Sequence, residues 1–158
     1  MSTISIASAA IHEEAETVKK ELSSRSIKVV ALALILTHLI ISTIHGLAHQ
    51  GAMVKLSQFG YVYVAVVITV SPIVAGALFF SRRQRIAASL LTLSMSGSFG
   101  FGVWYHFLTS SADNVAEVHG PWHTTFLWTA VALAIGEFAG VFTGLWMYRE
   151  IGRVKNSI

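Results

Sequence analysis

The chain has 158 residues, of which 54% are hydrophobic and only 12% are charged. A soluble domain carries about 25% charged residues, so the composition excludes an ordinary water-soluble domain and predicts an integral membrane protein. The absence of cysteine excludes disulfides and thiolate metal sites. The small net charge of +3 resides in clusters beside the apolar runs, and we therefore expect no nucleic-acid partner.

A polar segment, residues 1–28, begins the chain. The stretch from His12 to Glu21 is rich in Glu and Lys, which predicts a short helix on the cytoplasmic membrane surface. The polar part is long, and no small-residue cleavage site follows the first apolar run, so it does not resemble a signal peptide. We predict a polar N-terminal segment that precedes the membrane domain.

Four apolar segments are long enough to cross a bilayer, which takes about 20 residues. They lie at about residues 29–49, 61–80, 86–108 and 124–148, and a basic tail follows at residues 149–158. Pro72 is expected to kink the second span. In the fourth span Gly136, Gly140 and Gly144 fall four apart on one face, which favours close helix packing. The predicted fold is all-α, a four-helix integral membrane bundle over residues 29–148.

The basic residues predict the orientation of this bundle. Only Lys55 lies in the loops 50–60 and 109–123, and the other ten flank the opposite span ends: Lys19, Lys20, Arg25, Lys28, Arg82, Arg83, Arg85, Arg149, Arg153 and Lys155. The positive-inside rule then places both termini in the cytoplasm. The expected location is a cell membrane, with several spans and with the bilayer as the first partner.

Histidines form the most informative pattern in the sequence. In the first span His38, His45 and His49 are spaced by seven and four residues, so they lie along one helical stripe. The alternating threading of the chain brings five histidines to the outward face: His45, His49, His106, His119 and His123. This concentration of imidazoles predicts a metal site, although interfacial hydrogen bonding would also place histidines at helix ends.

The expected ligands can be ranked by position. His45 and His49 read H-G-L-A-H, and this spacing lets two ring nitrogens lie about 2.0–2.1 Å from one zinc-sized ion. His106 is the expected third ligand, and His119, His123 or a loop carboxylate (Asp113 or Glu117) is expected to complete or gate the site. Nitrogen and oxygen ligands suit Zn, Cu(II) and Fe(II) alike.

A second polar pair is predicted deeper in the membrane. His38 and Glu137 lie at similar depth near the midplane, by residue count at about 1.5 Å per residue. A carboxyl group there needs a partner or a proton, and His38 is the natural one. The pair is compatible with a proton relay, with support of the metal site, or with a structural lock between helices.

These observations predict a membrane protein with a histidine-rich transition-metal site, acting as a metal-binding or redox-supporting subunit rather than as a stand-alone enzyme. The expected partners are other membrane subunits or further copies of the chain. Two alternatives stay open. One is a haem b-binding cytochrome subunit with His45 or His49 and His106 as axial ligands. The other is a small proton or metal transporter that uses His38 and Glu137.

Overall fold

The structure is a computed structural model that describes the backbone of residues 3–156. Side chains are described for residues 18, 21–22 and 24–153. Most side chains of the predicted polar segment 1–28, and the end of the predicted basic tail 149–158, therefore lie outside the described residues. The described chain is 82% helical and contains no strand.

Four helices make up the fold. Helix α1 spans Thr3–Gly51, α2 spans Gln58–Phe79, α3 spans Gln84–Leu108 and α4 spans His123–Asn156. Each contains a stretch long and apolar enough to cross a membrane: Ser24–Gly51, Gln58–Phe79, Gln84–Leu108 and His123–Arg153. The predicted four-helix membrane bundle is thus confirmed, with span boundaries within a few residues of those expected. The helix expected at residues 12–21 continues without a break into the first span.

The helices pack in a closed ring. Helix α4 packs against α3 and α1, and α2 packs against α3 along its length. Helix α1 meets α2 chiefly through Ser71–Phe79. Residues 52–57 and 109–122 connect the helices at one end, called here the histidine end, and residues 80–83 connect them at the other, the basic end. At the histidine end Trp122 packs directly on Gly51, where no side chain would fit.

Proline explains the irregular middle of α2. Val64–Val70 is π-helical, and Pro72 follows in the next turn. Because proline has no N–H, it leaves the carbonyls four and five residues earlier without that donor. Both accept side-chain hydrogen bonds from other helices: His38 Nε2 lies 3.1 Å from the Ile68 oxygen, and Ser94 Oγ lies 2.6 Å from the Val67 oxygen.

The larger apolar cluster lies in the basic half of the bundle, and a smaller one of Ala48, Val118 and Phe126 lies at the histidine end. Ala31, Leu91, Met95 and Met147 are fully buried in one cluster that joins all four helices. Of the three glycines in the predicted packing stripe of α4, Gly140 and Gly144 pack closely on α3, whereas Gly136 has open space beside it. The predicted close packing therefore holds at the basic half of that stripe.

Candidate metal centre

Three histidines from two helices converge at the histidine end. His45 and His49 come from the last turns of α1, and His106 comes from the π-helical segment Trp104–Leu108 that ends α3. His45 Nε2 lies 3.1 Å from His106 Nε2 and 3.2 Å from His49 Nε2. His45 and His106 are buried and His49 is nearly so. Residues distant in sequence thus direct ring nitrogens to one point.

The spacing of these nitrogens fits one metal ion. Two ligands bound at 2.0–2.1 Å in a tetrahedral site lie about 3.3–3.4 Å apart, close to the separations seen here. One ligand atom from each of the three rings lies within 4.8 Å of the others. Within the part of the chain that the structure describes, His45, His49 and His106 form the cluster whose geometry could hold a metal ion.

Helix α4 determines which nitrogen of His45 carries the proton. His45 Nδ1 lies 2.8 Å from Thr129 Oγ1. The Thr129 hydroxyl donates to the Thr125 carbonyl at 2.6 Å, so it accepts from the Nδ1–H of His45. The neutral ring then has its free lone pair on Nε2, the atom that faces the other two histidines.

The loop after α3 determines which nitrogen of His106 carries the proton. Its Nδ1 lies 3.0 Å from the backbone carbonyl of Asp113, which can only accept a hydrogen bond. The loop is held over this ring because the Val115 N–H donates to the His106 carbonyl at 3.0 Å, and the Asn114 side chain donates to the Thr109 carbonyl at 2.9 Å. His106 therefore also presents an Nε2 lone pair.

Two lone pairs consequently face each other at 3.1 Å. Neither Nε2 has a proton to donate when both Nδ1 atoms carry one, so the His45–His106 contact is not a hydrogen bond in this protonation state. A cation between the nitrogens converts the repulsion into coordination. Metal-bound histidines usually donate their other ring N–H to an acceptor such as a backbone carbonyl, and here the acceptors are the Asp113 carbonyl and the Thr129 hydroxyl.

A buried carboxylate adjoins the three rings. Asp113 Oδ1 lies 3.3 Å from His49 Nε2 and 3.3 Å from His106 Nδ1. These approaches are within ion-pair distance, but neither Asp113 oxygen makes a hydrogen bond with good geometry. An unpaired buried carboxylate is costly. Its negative charge beside the histidines makes the centre more favourable for a cation.

Apolar packing holds the rings in place. The fully buried Phe126 ring lies 4.9, 4.8 and 5.4 Å from the ring centroids of His45, His49 and His106, respectively. The sequence reasoning missed both Phe126 and Thr129. Thr129 carried a usable signal, since it is a hydroxyl within an apolar run at the depth of His45, whereas Phe126 resembles any other lipid-facing aromatic residue.

The other predicted ligands lie outside this group. His119 is exposed in the 109–122 loop, and His123 is partly buried at the first turn of α4. The structure does not bring either into the set of converging nitrogens. Among the described residues, the loop group that touches the histidines is the carboxylate of Asp113.

The deeper pair is close but not hydrogen-bonded. His38 Nδ1 lies 3.8 Å from Glu137 Oε1, and both side chains are almost fully buried. His38 donates from Nε2 to the Ile68 carbonyl, which leaves its Nδ1 lone pair towards Glu137. His38 thus bridges α1 and α2, and Glu137 lacks a hydrogen-bond partner within the described chain.

The distance between His45 and His106 also tests the haem b alternative. Two axial ligands of one iron lie on opposite faces of the porphyrin, twice a metal–nitrogen bond apart. The Nε2 atoms of His45 and His106 are only 3.1 Å apart, which leaves no room for a ring between them. The arrangement favours a single ion over haem b.

Comparison of the chain with protein-family models, with curated proteins and with solved structures finds no match. The function is therefore inferred from the geometry of the chain itself.

Proposed function

We propose that the protein holds one divalent transition-metal ion between His45, His49 and His106, as a metal-binding or redox-supporting subunit of a membrane complex. The observation that carries this proposal is the pair of facing Nε2 lone pairs, each fixed by an outward hydrogen bond. Zn, Cu(II) and Fe(II) all accept imidazole ligands in such a site.

The location of the site supports a role at a membrane surface. The centre lies at the histidine end, and the basic residues 82, 83 and 85 lie at the other. By the positive-inside rule the metal then lies near the outward face. The surrounding surface is rich in exposed apolar side chains such as Phe59, Tyr61 and Leu108, which suits lipid or neighbouring membrane subunits.

The geometry supports holding an ion better than transporting one. Transport along the bundle requires a second site deeper in the membrane. His38 and Glu137 occupy that depth, but the Nε2–H of His38 is committed to the Ile68 carbonyl. A single carboxylate and one ring nitrogen make a weak second site beside three convergent imidazoles.

Metal content of the purified chain tests the proposal. We expect about one transition-metal ion per chain by elemental analysis after detergent purification, because three neutral imidazoles form a near-complete tetrahedral set. His45→Ala, His49→Ala and His106→Ala should each lower the content to background. The visible spectrum of the same samples should show no Soret band.

The matched control is His119→Ala, which removes an exposed histidine from the same end of the bundle and should leave the metal content unchanged. Thermal unfolding of each variant without added metal shows whether the bundle is intact. Unchanged metal content in the His45 and His106 variants would refute the ligand assignment.

A further inference from the structure

A cavity of about 240 Å³ extends from the metal centre towards the middle of the membrane. Its lining at the histidine end includes His45, His49 and His106, and at the deep end it includes Glu137. Gly102 lies between the two ends. A methyl group there would lie 3.8 Å from Glu137 Oε2 and 3.9 Å from the Cδ2 atom of His106. The missing side chain of Gly102 therefore leaves the carboxyl group and the metal centre in one continuous space.

The deep end of the cavity offers unpaired polar groups. The hydroxyls of Ser42 and Ser98 line it and are buried without a hydrogen-bond partner. Ser98 is fully buried and Glu137 is only 3% exposed. Buried polar groups are normally satisfied, so three such groups around one space indicate that something in the cavity bonds to them.

The cavity reaches the surface at the side of the bundle. Its lining includes Gly46 and Gln50 of α1 and Tyr61 of α2, which are exposed. Helices α1 and α2 touch chiefly in the other half of the bundle, and nothing lies within 4 Å of the position that a side chain at Gly46 would occupy. The opening therefore lies between the first and second spans, where a membrane protein meets lipid.

The rest of the wall is apolar. Phe101 and Leu133 face the space together with Val64, Ile68, Ala130 and Ala134. A buried water needs two to four polar partners, which the two ends of the cavity provide and its apolar middle does not. An apolar cavity of about 150 Å³ accommodates benzene, so this one has room for a substituted aromatic ring.

We propose that the cavity binds a lipid-soluble quinol, with one ring hydroxyl at the metal ion and the opposite hydroxyl donating to Glu137. The proposal rests on the metal site described above. Three histidines leave a tetrahedral ion one open position, and the cavity adjoins them. The polar groups at the deep end accept hydrogen bonds, which a quinol donates and a quinol ether does not.

Other ligands fit the cavity less well. An organic cation at Glu137 would lie close to the metal ion and be repelled by it. A lipid with one polar head satisfies one end of the cavity only. A flat ring with hydroxyls at opposite ends satisfies both ends and enters from lipid.

Binding of trimethylhydroquinone to the full chain in lipid nanodiscs tests the proposal. The chain is loaded with zinc, which does not oxidise the ligand, and oxygen is excluded. We expect one ligand per chain by equilibrium dialysis, and binding of the dimethyl ether weakened several-fold, since the ether has no hydroxyl to donate to Glu137. Equal binding of the quinol and its ether would overturn the proposal.

Two variants locate the ligand. Gly102→Val fills the gap between Glu137 and His106 and should abolish quinol binding, whereas Gly100→Val adds the same side chain where nothing lies within 4 Å and should not. Glu137→Leu removes the acceptor and should weaken binding several-fold, and it provides an independent test if Gly102→Val does not fold. Zinc content is measured in every sample.

The zinc measurement separates the two proposals. If the wild-type chain holds zinc but binds no quinol, the quinol site is refuted and the metal site stands. If His106→Ala loses zinc yet binds the quinol as tightly as the wild type, the ligand does not contact the metal and the assignment is overturned.

Discussion

The two halves of the bundle differ in what occupies their interior. In the basic half, Ala31, Leu91, Met95 and Met147 are fully buried in one apolar cluster. In the histidine half the interior holds a cavity, unpaired hydroxyls and a cluster of imidazoles. The same four helices form both halves, so the difference comes from their side chains and from the π-helical segments Val64–Val70 and Trp104–Leu108.

This contrast indicates a division of labour. In lipid, helices associate mainly through close packing rather than through a hydrophobic driving force. The packed half supplies that contact and keeps the helices together. The histidine half can then retain a space and polar groups that would otherwise destabilise it.

Matched leucine substitutions test the division most strongly. Leu91→Ala should lower the free energy of unfolding by about 2–5 kcal/mol, because it opens a void in a filled core. Leu133→Ala should cost roughly half as much or less, since this side chain already faces the cavity and loses fewer contacts. Equilibrium unfolding in mixed micelles measures both, and equal losses would contradict the proposed division.

Thr129→Val should mainly affect metal binding. The variant removes the hydroxyl that holds the Nδ1–H of His45, and loss of such a partner lowers metal affinity by about 10–100-fold. Thr143→Val is the control, because that hydroxyl bonds only to its own helix at the Ala139 carbonyl. Competition with a zinc chelator gives the affinities, and a similar affinity in both variants would remove Thr129 from the site.

The glycines of α4 give a graded test of packing. An added methyl group at Gly144 would collide with Thr92 Oγ1 and approach its backbone nitrogen to 3.2 Å, so Gly144→Ala should destabilise by about 1–3 kcal/mol. Gly136→Ala meets nothing within 4 Å and should change stability by less than about 0.5 kcal/mol. Thermal unfolding of the two variants compares them. A larger loss at Gly136 would show that the tight contact lies in the other half.

The smallest expected effect concerns one hydrogen bond between helices. Ser94→Ala removes the donor to the Val67 carbonyl and should cost about 0.6 kcal/mol, the average for such bonds within membranes. Ser96→Ala removes a hydroxyl that bonds within α3 to Thr92 and serves as the reference in the same unfolding assay. No difference between the two would mean that the Val67 carbonyl finds another donor.

The sequence predicted the fold well because apolar run length is set by membrane thickness. It also predicted that His45, His49 and His106 meet, because alternating spans bring their depths together. The continuity of α1 from Thr3 to Gly51 was not predicted, since charged residues in the polar segment are as compatible with a separate surface helix as with an extended one.

The sequence predicted less well the groups that complete the site. The conformation of the 109–122 loop brings Asp113 against His49 and His106 and leaves His119 exposed. Loop conformations have no sequence periodicity from which such positions could be predicted. Likewise the position of His38 depends on a carbonyl left free by Pro72. Residue count placed it beside Glu137, but the donor it carries is used by another helix.

The second span has a consequence for biogenesis. A carbonyl in the hydrocarbon region is more favourable when a donor reaches it, and the Val67 carbonyl takes its donor from Ser94, which is synthesised later. His38, the donor to Ile68, emerges earlier. Newly inserted α2 is thus paired on its upstream side and unpaired on its downstream side, so its integration is complete only when the third span joins it.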